Sequence, residues 1–166
     1  MITKIKVAVL DDGSNTELGQ WLRSKNIIEK IGDLLVLQGG VSPGLLKRQM
    51  SLVNINKNCR PYYAANPGEV PDSLKDFFNA KALFWYRGHF LEPIATQGLV
   101  DSTPALYGCS KIIVGHDIID HVADFYNGKV IGVDVNEHEG THEDLLIEKK
   151  NYYRIDDKAN KILIID

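Results

Sequence analysis

Asp33-Leu34-Leu35-Val36-Leu37-Gln38-Gly39-Gly40 is the stretch that decides how this chain folds. Four aliphatic residues in a row, closed by two glycines, are the pattern of a strand buried on both faces that delivers its last residues to a site. Gln38 is the polar residue at that strand's tip. Paired glycines let the backbone turn sharply and approach a ligand closely, which would hold Gln38 at the mouth of the sheet. The same pair also suits a plain turn in which Gln38 satisfies loop amides.

Working outward, Lys4 to Leu10 reads as a strand running into the turn residues Asp11-Asp12-Gly13-Ser14-Asn15. Leu18, Trp21 and Leu22 recur at helical spacing behind Asn15 or Thr16, either of which can cap the free amides. Downstream, residues 43 to 58 open on Pro43 and carry Leu45, Leu46, Met50 and Val53, a helical pattern. Proline, glycine and asparagine mark 62 to 71 as a loop. Leu74, Phe77 and Phe78 predict a short helix over 73 to 80. The final third reads as five strands: Lys111 to His116, Lys129 to Asp134, Asp144 to Glu148, Tyr152 to Ile155 and Lys161 to Ile165. Short polar turns separate the last three, so an antiparallel meander is expected. The order predicts an α/β fold of mixed sheets with flanking helices, in one domain over residues 1 to 166.

Composition narrows the function classes. The 166 residues are 44% hydrophobic, enough for a real core, and carry a formal net charge of −3. Phosphate-backbone binding needs clustered Lys and Arg, so nucleic acid is not expected as a partner. Cys59 and Cys109 stand far apart, in no metal-binding spacing, and are read as reduced thiols. No apolar run approaches the roughly 18 residues of a membrane span, and Met1 to Leu10 lacks the core of a signal peptide. A cytoplasmic protein away from membranes is expected.

Two further places put polar groups at strand or loop tips. Gly115-His116-Asp117 follows the apolar run Ile112 to Val114. An imidazole held there by a glycine turn suits a metal ligand or a general acid, and equally a hydrogen-bonded loop histidine. Trp85-Tyr86-Arg87-Gly88 places a guanidinium beside aromatics, where its fork could clamp a phosphate or stack over Trp85. His138 and His142 are four apart, but Gly140 puts them on a solvated loop. There is no nucleophile elbow, P-loop or dinucleotide fingerprint.

Taken together, Asn15 to Gly19, Trp21 to Asn26, Gln38-Gly39-Gly40-Val41-Ser42-Pro43, Leu83 to Gly88, Ile113 to His116 and Tyr126 to Asp134 resemble the C-terminal half of a calcineurin-like metallophosphoesterase. The likeness is closest to bacterial relatives of the serine/threonine phosphoprotein phosphatases, and extends over residues 14 to 155. It implies half of a β-sandwich flanked by helices, with two divalent metals (manganese, iron or zinc) and hydrolysis of phosphate esters or phosphoproteins. The family's D-x-H, G-D-x-x-D and G-N-H-[ED] motifs are missing here, and Gln38 stands where a histidine is usual. The resemblance therefore implies a truncated hydrolase without firmly bound metal and without activity of its own, since two-metal chemistry needs a bridging carboxylate or hydroxide. The alternative it leaves is a pseudoenzyme, a non-catalytic pseudophosphatase or a phosphate- or protein-binding module.

On this reading no catalytic residue is assigned. His116 is a remnant metal ligand, and Arg87 with Gln38 would contact substrate. The expected partners are a second copy of the chain or a chain supplying the missing half, and a phosphate or phosphoprotein ligand.

Overall fold

The computed structural model describes residues 16–165, so the strand expected over Lys4 to Leu10 lies outside the described residues. Helix α1 spans Glu17–Arg23, with Thr16 as its cap: the Thr16 hydroxyl accepts from the Gly19 amide at 3.1 Å. Strands β1 (Ile28–Ile31) and β2 (Leu34–Leu37) form an antiparallel hairpin that turns at Gly32, where φ is 60°.

The helical pattern of 43 to 58 is two helices, α2 (Pro43–Lys47) and α3 (Leu52–Cys59), each with its own serine cap at Ser42 and Ser51. They are separated where Gln49 takes φ 48°. The short helix expected over 73 to 80 is a 3₁₀ helix spanning Asp72–Phe77. Helix α4 (Gln97–Tyr107) was not expected from the sequence, because Pro104 sits inside it and Gly98 in its first turn. Gly108, at φ 63°, closes it by donating to the Pro104 carbonyl.

Strands β3 (Lys111–Val114), β4 (Ala123–Phe125) and β5 (Val130–Gly132) complete a five-stranded sheet of order β1-β2-β3-β5-β4. The three inner strands are parallel, and the two outer ones run antiparallel to their neighbours. Strands β6 (Glu143–Glu148), β7 (Asn151–Asp156) and β8 (Lys161–Ile165) form the expected antiparallel meander as a second sheet. The chain is thus α/β with mixed sheets and flanking helices.

The continuous apolar strands have the physical consequence expected of them: each covers two cores. Leu35, Leu37, Ile112, Val114 and Val130 pack with Leu45, Ile55, Phe77, Leu83 and Val100 on the helical side. Ile113 and Ile131 face the other way, with Leu34 and Val36, against Tyr152, Leu145, Ile164 and Ile165 of the second sheet. The five-stranded sheet is the middle of three layers. Glu143 ties the sheets together: its carboxylate accepts from the Val122 amide at 2.8 Å and meets His121 Nδ1 at 2.8 Å. Lys111 adds a second tie, its ammonium 5.0 Å from the centre of the Tyr152 ring.

Among the described residues no helix is long and apolar enough to cross a membrane. Cys59 is buried and Cys109 half-buried, both as free thiols. Burial pushes the Cys59 thiol up to about 12.

Candidate active site

The parallel register of β2, β3 and β5 brings three chain segments to one end of the sheet. Leu37 pairs with Val114, and Val114 with Gly132, so Gln38, Gly115 and the pair Val133-Asp134 emerge side by side. The Gly115 amide donates to the Gln38 carbonyl at 2.8 Å. This is the carboxyl end of a parallel sheet, where open α/β sheets build their crevices.

Gly39 and Gly40 dock the aromatic loop onto that end. Their amides donate to the Leu83 carbonyl at 2.7 and 3.2 Å. A Cβ on Gly39 would lie 2.9 Å from the Tyr86 amide nitrogen, and one on Gly40 would lie 2.6 Å from His89 Nε2. Only glycine lets the backbone come this close. The pair does more than turn the chain: it seats residues 83 to 90 beside the strand tips.

From that loop Arg87 reaches across to Asp117, with Nη1 donating to Oδ1 at 2.7 Å. The partners differ in exposure: the Arg87 side chain is 47% exposed and that of Asp117 is 4% exposed. Nη1 is thereby committed, and nearly half of the Arg87 side chain stays open to solvent. The second carboxylate oxygen of Asp117 is buried without a hydrogen-bond partner among the described residues.

His116 sits between them in sequence and in space. The Asp117 amide donates to the Gly115 carbonyl at 2.9 Å, closing a three-residue turn with His116 at φ 71°. A β-carbon in this left-handed region carries steric strain, which the surrounding contacts must offset. The imidazole is buried, its Nε2 has no hydrogen-bond partner among the described residues, and its ring meets Trp85 edge-on with centroids 5.4 Å apart.

Burial, then the Arg87 charge, pulls the His116 pKa below the usual histidine value, with Asp117 and Asp134 opposing. Burial pushes Asp117 above the usual carboxylate value; Asp134 adds to this, and Arg87 and His116 oppose it. A neutral imidazole beside a carboxyl group with raised proton affinity is an arrangement suited to proton transfer.

Of the residues singled out from sequence, Arg87 and His116 are brought together through Asp117. Gln38 contributes its backbone carbonyl, and its side chain is exposed. His138 and His142 are both exposed, His138 in a 3₁₀ turn over 137–139. Sequence reading passed over Asp117, Asp134 and His89. The signal for the first two was present, since each is an aspartate just past an apolar strand. His89 had none: it is a buried ring among Tyr86, Phe90 and Tyr126, and neither of its nitrogens has a hydrogen-bond partner among the described residues.

No protein-family model matches the chain, and no curated protein does so. Solved structures do. A cold-active protein-tyrosine phosphatase from a psychrophilic Shewanella species is similar over 92% of this chain, with 33% sequence identity and a TM-score of 0.85. A second structure of a cold-active protein tyrosine phosphatase is similar over 90% of the chain, with 33% identity and a TM-score of 0.83. A mutant of a cold-active protein tyrosine phosphatase matches with the same identity and a TM-score of 0.85. The chain spans 46% of the length of the first of these structures and 45% of the second.

These structures correct the resemblance to half of a calcineurin-like metallophosphoesterase: all three are named protein-tyrosine phosphatases. The sandwich-half architecture drawn from that resemblance is withdrawn with it. So are the truncated, inactive metallophosphoesterase and the pseudophosphatase or binding-module alternative. The expectation of manganese, iron or zinc came from the same resemblance and falls too. Among the described residues no group of three or more His, Cys, Asp and Glu side chains is placed to hold a metal ion.

Proposed function

We propose that this chain carries the phosphate-handling face of a phosphatase acting on phosphotyrosine or similar aryl phosphate monoesters. The observation that supports it most directly is the Arg87–Asp117 pair, 2.7 Å long, beside an unpartnered His116 nitrogen. Similarity to structures named protein-tyrosine phosphatases supports the choice of substrate class.

Arg87 supplies the charge. Its half-exposed guanidinium fork can match two phosphoryl oxygens, and Asp117 anchors it through Nη1. Charge developing on those oxygens is then met by a donor already in position, which costs no reorganisation during the reaction. His116, kept neutral by burial and by the neighbouring guanidinium, can accept a proton at Nε2. In the proposed step water attacks phosphorus, the P–O bond to the phenol breaks, and the proton lost by water passes through His116 to the phenolate. The products are phenol and inorganic phosphate. Asp134 lies close enough to the imidazole to favour the charged form that arises midway.

The test is hydrolysis of 4-nitrophenyl phosphate and of a tyrosine-phosphorylated peptide by the purified chain. Arg87→Ala and His116→Gln are each expected to lower kcat/KM by about 100-fold or more. Absence of turnover in the unaltered protein, or turnover indifferent to both substitutions, overturns the proposal.

A further inference from the structure

We propose that Trp85 is the specificity-determining residue of this site, a platform on which the aromatic ring of an aryl phosphate ester packs. The inference rests on the phosphate-monoester reading above and adds the element that selects the ester group. Arg87 and His116 could engage any phosphate monoester, because they address oxygens common to all of them. Discrimination between an aryl and an alkyl ester must come from apolar surface within one ring's reach of the phosphate.

Trp85 supplies that surface. It stands two residues before Arg87 in the loop seated by Gly39 and Gly40, and the Trp85 amide donates to the Ala82 carbonyl at 2.9 Å. Its indole packs edge-on against the His116 imidazole, with centroids 5.4 Å apart and planes at 83°. The ring therefore borders the imidazole proposed to handle the proton. It is only half-buried, so part of it remains open to a ligand. Ile118, 63% exposed, follows Asp117 directly and adds a second apolar side chain next to the same turn. A half-buried aromatic beside a half-exposed guanidinium is a surface that water leaves readily when a flat apolar ring arrives.

Aromatic pairs in offset or edge-on contact gain enough over simple burial to give roughly a tenfold preference. Calorimetric titration with inorganic phosphate, methylphosphonate and phenylphosphonate reads this without relying on turnover. The unaltered protein is expected to bind phenylphosphonate about tenfold more tightly than methylphosphonate. Trp85→Leu is expected to reduce that ratio to below about threefold, and Trp85→Phe to retain it. A protein that binds neither phosphate nor phenylphosphonate overturns the phosphate reading and this inference together. Phosphate binding with equal affinity for the two phosphonates overturns the platform alone. A preference that survives Trp85→Leu, or one lost equally in Trp85→Phe, does the same.

Discussion

Asp117 receives Arg87 Nη1 on one carboxylate oxygen at 2.7 Å, while its other oxygen is buried with no partner among the described residues. The pair is lopsided. Arg87 can return to water when the contact breaks, and Asp117 cannot. Removing the arginine should therefore hurt more than removing both partners. Arg87→Ala is expected to cost about 1–3 kcal/mol, below the range for fully buried pairs because Arg87 is half in water. Arg87→Ala with Asp117→Ala should recover a large part of it. Urea denaturation of the single and double variants measures this, and full additivity would refute the coupling.

Burial drives the pKa of His89 down to about 4. In the unfolded chain a histidine titrates near 6.5. Between these values the unfolded state binds a proton that the folded state refuses, so stability is fully present above about pH 6.5 and drains away toward pH 4. His116, also lowered, acts in the same direction. Asp117, raised, acts in the opposite one: the folded state keeps a proton that the unfolded state has released, so stability falls as pH climbs through its folded pKa. At about 1.4 kcal/mol per unit, His89 accounts for a loss of about 3 kcal/mol over the window. His89→Gln should flatten the profile between pH 4 and 6.5 by that amount. Denaturant titrations at several pH values check it.

A Cβ on Gly40 would meet His89 Nε2 at 2.6 Å and Tyr86 Cδ1 at 2.8 Å, and the backbone there has φ 152°. Gly40→Ala is expected to destabilise by about 2–3 kcal/mol through overpacking. His89→Ala in the same chain vacates the space, so the double variant should lose less than the two single losses combined. Thermal melts of the four proteins test the coupling.

Asn56 of α3 stands in for a neighbouring strand along the outer edge of β1. Its side-chain oxygen accepts from the Ile27 and Ile28 amides at 3.0 and 3.4 Å, and its amide donates to the Ile28 carbonyl at 2.8 Å. Asn56→Ala leaves these buried groups unmatched and is expected to cost about 2–3 kcal/mol. Faster hydrogen exchange at Ile27 and Ile28 than elsewhere in the sheet would locate the damage. An unchanged exchange pattern would sink the assignment.

The sequence by itself determined the elements whose signal is local. Leu34–Leu37 and Ile112–Val114 read as buried strands because unbroken aliphatic runs have no polar face to expose, and in the structure each packs against two cores. The meander over 143–165 was legible from its short polar turns, and a helix start narrowed to Asn15 or Thr16 and another opening on Pro43 were legible too. Other elements lacked such a signal. β1 carries Glu29 and Lys30 on an exposed edge and shows no alternation, and α4 hides behind Pro104. Tertiary structure alone joined Arg87 to Asp117 across 30 positions and set Gln38, Gly115 and Asp134 beside one another. The reason is physical: a strand's burial is written in its own side chains, whereas parallel pairing and the seating of a loop on two glycines depend on which distant segments the packed sheet brings into register.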